Sequence, residues 1–288
     1  MKIGISGASG KLGSQVLDYL LQSTGNIHQI VGISRSPENA PGGVEGRKGD
    51  YDAPASLVDA YQGLDSLLII PSADLRPGVR GTQLKAAIDA ANKAGVKHIV
   101  LMSASGTKQA PDASVGGAYW QGEQHLIRTA AAWTILRMNY YAESMVEEIQ
   151  NSVGTGVLAG FGSEGVAYVS RADVAAAAAN ILTGSGHEGA IYAATGPASL
   201  SGEQRAALVA EVTGKPINFM VVPTEQFRKG MSSMGLPDLV INAVVEIKSN
   251  FVRGGFDIVT GDILQLTGRA PRPFRDVLAE MMGTNSHQ

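Results

Sequence analysis

Seven residues, Gly7-Ala8-Ser9-Gly10-Lys11-Leu12-Gly13, repeat glycine at every third position. That spacing suits a main chain that turns sharply, admits a ligand against its amides and then packs a helix closely. Gly7 permits the turn, Gly10 lets the backbone approach a pyrophosphate, and Gly13 brings helix and strand together. Amides left open at a helix N-terminus attract phosphate oxygens, and the helix dipole adds to the attraction. Ser9 adds a hydroxyl donor, Lys11 a positive charge and Leu12 a first-turn amide to the same cradle. A plain glycine-rich turn is the alternative, but a strand before the loop and a helix after it select dinucleotide binding.

The tip of the second strand decides which dinucleotide. NAD usually meets a carboxylate there, on its ribose hydroxyls. Here the tip reads Gly32-Ile33-Ser34-Arg35-Ser36, and the Arg35 guanidinium suits a 2′-phosphate instead. NADPH is therefore expected, with NADH the less favoured cofactor and a solvated surface arginine the alternative for Arg35. Asp50 and Tyr51, after the third strand, are placed to border the adenine. Pro71 and Ser72, after the fourth, are placed along the ribose and pyrophosphate. Either pair serves equally well as a helix cap or a turn. Ser103, ending the fifth strand, is a candidate for the nicotinamide pocket or for a buried loop cap.

These residues need a scaffold that brings strand ends together. Short apolar runs at Ile3–Ser6, Ile30–Ser34, Leu67–Ile70, Ile99–Ser103 and Thr134–Arg137 alternate with amphipathic stretches at Leu12–Gln22, Thr82–Ala94 and Glu123–Ala132. A shorter strand is expected at Arg47–Asp50 and a helix near Ala55–Tyr61. Strands alternating with helices mean βαβ units and a parallel sheet. The expected fold is thus an α/β Rossmann doubly wound parallel sheet over residues 1–150. A smaller α/β substrate lobe over 151–288, partly interleaved with the core, should cap the cofactor cleft. Ser170 and Asp173 fit a capping box at a helix starting at Arg171.

Composition narrows the classes. A chain 44% hydrophobic and 17% charged is an ordinary globular one. A net charge of −3 offers no broad attraction to nucleic acid or anionic membrane. With no cysteine, thiol nucleophiles, iron–sulfur ligation and thiolate metal sites are ruled out, and the histidines lack metal-ligand spacing, so no metal is expected. The opening run Met1-Lys2-Ile3-Gly4-Ile5 has no signal-peptide apolar core, and a cytoplasmic location is expected. A homodimer stays open.

With these residues in view, the chain resembles the NmrA-like branch of the atypical short-chain dehydrogenase/reductases, nearest the NAD(P)H:quinone oxidoreductase and triphenylmethane reductase subgroup. The likeness rests on the Gly7–Gly13 loop, Ser34-Arg35, Gly49-Asp50-Tyr51, Ala94-Gly95-Val96-Lys97-His98-Ile99, Leu136 to Glu143, Ser170-Arg171-Ala172-Asp173 and Leu266-Thr267-Gly268-Arg269. It implies a Rossmann core, NADPH and a small C-terminal substrate lobe. Typical relatives use a Tyr-x-x-x-Lys pair, whose lysine lowers the phenol pKa so that it can pass a proton. The matching stretch here, Tyr119-Trp120-Gln121-Gly122-Glu123, has glutamate in place of that lysine. A carboxylate there would raise the phenol pKa, which disfavours alcohol dehydrogenation.

The resemblance points instead to hydride delivery to quinone-like or other electron-poor acceptors, where orientation supplies much of the rate. Asn139, Tyr140 and Tyr141 follow the sixth strand, at the sheet edge where ligands bind. Asn139 could bond a carboxamide or substrate carbonyl, and a tyrosine could stack on a planar ring. Aromatic packing is their alternative. Tyr119 is a candidate proton donor or a packed ring. The rival to an enzyme is a non-catalytic NADP(H)-binding redox sensor that signals to a partner, as implied by the family's founding members. Arg35→Glu should weaken NADPH binding by about 10- to 100-fold, the scale of losing a charge-assisted hydrogen bond, and NADH far less. Calorimetry with both cofactors checks this, and equal losses would make Arg35 a surface residue.

Overall fold

The computed structural model describes residues 1–23, 27–110 and 114–283. From the N-terminus run β1 (Lys2–Ser6), α1 (Lys11–Ser23), β2 (Gln29–Ser34), β3 (Val44–Lys48), α2 (Pro54–Tyr61), β4 (Ser66–Ile69), α3 (Val79–Lys93), β5 (His98–Ala104), α4 (Val115–Thr129) and β6 (Trp133–Met138). Then come α5 (Ala142–Ser152), β7 (Val157–Gly160), β8 (Gly165–Val166), α6 (Arg171–Thr183), β9 (Ala190–Ala194), β10 (Leu200–Ser201) and α7 (Gly202–Thr213). The chain closes with β11 (Asn218–Val221), α8 (Thr224–Ser233), α9 (Asp238–Val252), α10 (Asp262–Thr267) and α11 (Phe274–Gly283). Among the described residues no helix is long and apolar enough to cross a membrane.

Seven strands form one sheet in the order β3-β2-β1-β4-β5-β6-β9. The β1–β2, β1–β4, β2–β3 and β4–β5 pairs are parallel, with Ser6 opposite Ile33 on one side and Ile69 on the other. This is the expected Rossmann-type doubly wound fold. Strand order reverses at β1 and β4, and ligands bind such sheets beyond the carboxyl ends at that reversal. β4 is buried along its whole length, which explains its unbroken apolar run. On α1, Leu12, Val16, Leu17 and Leu20 are buried while Lys11, Ser14 and Asp18 are exposed, a helical period of burial. One continuous core joins Leu57 and Tyr61 of α2, Leu84 and Ile88 of α3 and Leu126 of α4 to Ile33, Leu67, Ile69, Leu101 and Ile135 of the sheet.

Two elements differ from expectation. α4 begins at Val115, well before Glu123, because Ser114 caps it by accepting from the Gly117 amide at 2.9 Å. Gly116 and Gly117 sit in its first turn, and their weak helix propensity hides that start in the sequence. β3 spans Val44–Lys48 and not Arg47–Asp50, being a largely exposed edge strand with no apolar alternation to mark it.

The chain divides into two compact units. Met1–Arg137 with Val174–Ala193 form the first, and Met138–Asp173 with Ala194–Gln288 the second. The interleaving thus runs deeper than a boundary at 150 conveys, since α6 and β9 return to complete the first unit. The second has its own core, built on Met145, Ile149, Tyr168, Val209, Phe251 and Phe274 among others. β7 pairs with β11 in parallel and β8 with β10 antiparallel. Inside it, buried Arg205 donates to Glu164 and to the Tyr168 hydroxyl, each at 2.6 Å.

Gly13 sets a close approach of α1 to the loop that follows β1. A Cβ there would lie 2.3 Å from the Gly7 carbonyl oxygen and 2.8 Å from the Ala8 Cα. At Gly10 the same atom would meet only the Gly7 oxygen, at 3.4 Å. Gly13→Ala should therefore destabilise the protein by about 1–3 kcal/mol, the usual cost of overpacking, at about 2–4 °C in Tm per kcal/mol. Gly10→Ala should leave Tm close to wild type while weakening dinucleotide binding. Thermal melts beside calorimetry separate the two, and equal melting temperatures for both variants would refute the packing role of Gly13.

Candidate functional site

The glycine loop lies where β1 meets the strand-order reversal. Gly7 adopts φ +90°, a left-handed conformation that strains any residue with a side chain. Its amide and that of Ala8 both donate to the Ile33 carbonyl, at 3.1 and 3.2 Å, which anchors the loop to β2. The first bond of the α1 ladder runs from the Ser14 amide to the Gly10 carbonyl at 2.9 Å. The Leu12 and Gly13 amides precede it and meet no backbone acceptor, as at any helix start. Ser9, Gly10 and Lys11 are exposed beside them. A glycine cradle that admits no Cβ at Gly13, with open amides above it, fits a pyrophosphate.

Arg35 follows the tip of β2, exposed and without an ion pair among the described residues. Asp50 is turned into its own loop: its amide meets the Ser56 hydroxyl at 3.0 Å and its carboxylate accepts from the Asp52 amide at 3.0 Å. The half-buried Tyr51 donates to the Ile70 carbonyl at 2.8 Å and so ties the end of β3 to the end of β4. Pro71 and Ser72 are half-buried in the β4–α3 loop. Ser72 donates to the Gln83 side-chain oxygen, while Gln83 donates to Asp52 at 2.8 Å. Gln83 was missed in the sequence because nothing in a helical glutamine signals a loop clamp.

The candidate residues for chemistry separate sharply. Tyr119 lies in the second turn of α4, 8% exposed, with the Arg80 guanidinium 5.4 Å from its ring centre. Glu123, one turn on, is fully buried. Its carboxylate is bonded to residues other than the phenol. It accepts two bonds from Arg137, at 2.8 and 2.6 Å, and one from Ser103 at 2.5 Å. The Arg137 charge compensates it, and the bonds in turn raise the Arg137 pKa. Ser103 has no exposed surface and its hydroxyl is committed to Glu123, so it caps this buried network and does not line a pocket.

Asn139 and Tyr140 are not presented to a ligand either. Asn139 is 1% exposed, donates to the Phe256 carbonyl at 3.0 Å and accepts from the Tyr140 amide at 2.7 Å. Tyr140 packs edge-on to Tyr168, Phe251 and Phe256 and donates to Glu148 at 2.5 Å. Burial, with Glu148 beside it, pushes its phenol pKa far above the ordinary range. Glu148 is itself pulled up by burial, but Lys248 at 2.8 Å and Tyr140 hold it below the usual carboxylate value. Tyr141 lies under the Arg171 guanidinium, 5.0 Å from the ring centre. The packing alternative raised for these aromatics is the one the structure shows, in the second unit.

Sequence reasoning missed a pocket beyond the carboxyl ends of β4 and β5. It is lined by Asp74, Arg76, Gly78, Arg80, Ser114 and Ala118. Arg76 binds Asp74 through Nε at 3.0 and 2.9 Å and holds that carboxyl below its ordinary pKa. Arginines near a helix start read as solvated surface, which is why neither drew notice.

A family model described as NAD(P)H-binding matches residues 7–185. The chain belongs to that family. It binds NAD(P)H, and the matched span runs from the glycine loop through α6. Quinone oxidoreductase 2 of Escherichia coli (strain K12) is 29% identical over 289 residues, covering 99% of this chain and 100% of its own. Its crystal structure with NADPH superposes with a TM-score of 0.90 over 97% of this chain and 99% of that one. The NAD(P)H azoreductase of Xenophilus azovorans is 30% identical, covering 94% and 95% of the two chains. The triphenylmethane reductase of Citrobacter sp., solved with NADP(H), is 28% identical with a TM-score of 0.87 over 97% and 99%.

Glu123→Gln should remove the charge from a buried network and cost about 1–3 kcal/mol, the range for a charged hydrogen-bond partner. Glu123→Lys, which restores the Tyr-x-x-x-Lys spelling, should destabilise more, since it sets a second cation against Arg137. Thermal melts and an assay with NADP+ and simple alcohols check this. A stable Lys variant that oxidises alcohols would overturn the structural role of Glu123.

Proposed function

We propose that this protein is an NADPH-dependent reductase of quinone-like and other electron-poor conjugated acceptors. The observation that carries the reading is Glu123, locked to Arg137 and Ser103 where a lysine would otherwise serve Tyr119. With that lysine position committed to structure, no tyrosine–lysine pair is available to move a substrate hydroxyl proton. Acceptors that take hydride readily are then the suitable substrates, as the activities named for the quinone and azo relatives are consistent with. NADPH, when bound, supplies the hydride; the quinone gains it with one proton and leaves as the hydroquinone.

The chain's own residues bind and orient. The Leu12 and Gly13 amides, with Ser9, Gly10 and Lys11, take the pyrophosphate; Gly7 shapes the turn. Arg35 takes the 2′-phosphate, in line with the cofactors named for the solved relatives. Asp50, Tyr51, Pro71 and Ser72 frame the adenine and ribose through the loops they hold rigid. Tyr119 is the residue assigned to the acceptor. The first unit takes the cofactor role expected of residues 1–150 and also carries Tyr119; the substrate role expected of 151–288 is kept for the second unit as part of this proposal. A cytoplasmic location suits this use of NADPH.

Steady-state oxidation of NADPH against a panel of quinones, azo dyes and enones should show turnover with several of them, at least tenfold better with NADPH than NADH. Tight NADPH binding without turnover of any acceptor would overturn the reductase and leave the redox-sensor reading.

A further inference from the structure

Arg80 is a buried cation of the first unit whose environment the proposed reaction does not account for. It lies in the first turn of α3 and is 8% exposed. Its Nε is buried with no hydrogen-bond partner, and no ion pair joins its guanidinium to any described residue. Among the other buried cations, Arg205 has Glu164 at 2.6 Å and Lys248 has Glu148 at 2.8 Å, while Arg171, which also lies over a tyrosine ring, donates to the Ser144 hydroxyl at 3.0 Å. Tyr119 offers the guanidinium its ring, 5.4 Å away at the centre, which is a charge–ring contact and not an oxygen acceptor for the N–H donors. Burying the Nε donor without a partner is costly.

The surroundings of Arg80 include two helix starts. Its side chain lines the pocket beyond β4 and β5, together with Gly78 and Ser114. Gly78 is the N-cap of α3 and Ser114 that of α4, each helix having 15 residues. Two helix N-termini thus border the same pocket and add positive potential. The carboxylate at its rim, Asp74, is already neutralised by Arg76 through a forked contact. Arg76 is shared between Asp74 and Asp52, at 3.7 Å from the latter, which leaves the Arg80 fork and two helix starts to meet a ligand.

We propose that this pocket is a subsite for an anionic group (carboxylate, sulfonate or phosphate) on the acceptor, bound by the Arg80 fork. The assignment rests on the reductase reading and narrows it to acidic, ring-bearing acceptors. An oxyanion with two oxygens in a plane matches a guanidinium edge in a bidentate pair, as a neutral substituent cannot. Arg80 touches Tyr119, the residue aligned with the family's proton-donating tyrosine, so anion recognition and the acceptor side of the site are neighbours.

The test uses a naphthoquinone carrying a propionate arm and the same quinone as its primary amide. The spacer keeps the two rings equal as electron acceptors. Wild-type protein with NADPH should prefer the acid by about 10- to 100-fold in kcat/KM, the scale of one charge-assisted pair, expressed mainly in KM. Arg80→Gln should collapse that acid-to-amide ratio towards one, and Arg80→Lys should recover part of it, since it keeps charge without the fork. Equal handling of acid and amide by the wild type would overturn the subsite. A ratio unchanged in Arg80→Gln while the KM for NADPH rises would assign Arg80 to a cofactor phosphate and equally overturn it.

Calorimetry on the wild-type protein with NADP+ keeps the proposal decidable if the variants do not fold or no quinone turns over. There 2-naphthoate should bind at least tenfold tighter than 2-naphthamide; equal affinities refute the subsite. Absence of turnover with any quinone would instead defeat the reductase reading, whatever the calorimetry shows.

Discussion

The first unit is organised by the distance at which α1 leaves β1. Gly13 faces the Gly7 carbonyl with no room for a methyl group, so the helix can start directly under the loop. That approach points the first-turn amides at the strand-order reversal, and the bonds from Gly7 and Ala8 to Ile33 then fix β2 beside it. Ser6 continues the arrangement inward, where its hydroxyl meets the Tyr61 hydroxyl at 2.8 Å within the core. Burial pushes the Tyr61 phenol well above its ordinary pKa, so this contact stays neutral. Packing and phosphate recognition are therefore one requirement placed on the same few residues.

Buried charge is handled by a consistent rule. Glu123, Arg205, Lys248 and Asp173 are each deeply buried, and each is matched by an opposite charge: Arg137, Glu164, Glu148 and Arg269. These pairs link elements distant in sequence. Such pairs add little net stability but penalise any packing that separates them. Arg80 and Arg171 depart from the rule among the described residues: each lies over a tyrosine ring, and Arg171 also meets the Ser144 hydroxyl.

Much of this was legible from residue order alone. The glycine loop, the apolar run of β4 and the period of α1 each carry a local signature, since strand–turn–helix geometry is decided within a few residues. The place of Arg35, just past the end of β2, was legible for the same reason. The roles of Glu123, Asn139 and Tyr140 were not. Glu123 meets an arginine 14 positions away, and Asn139 bonds a carbonyl 117 positions away, so their partners are set by packing across the fold. Asn139 and Tyr140 do follow β6, as read, but a polar or aromatic residue at a strand end looks the same whether it faces a ligand or a neighbouring ring.

The interleaving of the two units bears on how the chain is made. Neither unit is a continuous stretch of sequence, because the first borrows 174–193 and the second begins at 138. A ribosome that has released only the first six strands has delivered a sheet lacking β9, with β6 as an unpaired edge until that strand emerges. At roughly 5–20 residues per second, that edge stays open for seconds, long enough to meet a chaperone or another nascent chain. Deletion from the C-terminal side would leave the same edge permanently, so the protein cannot be trimmed to a cofactor-binding half at residue 150.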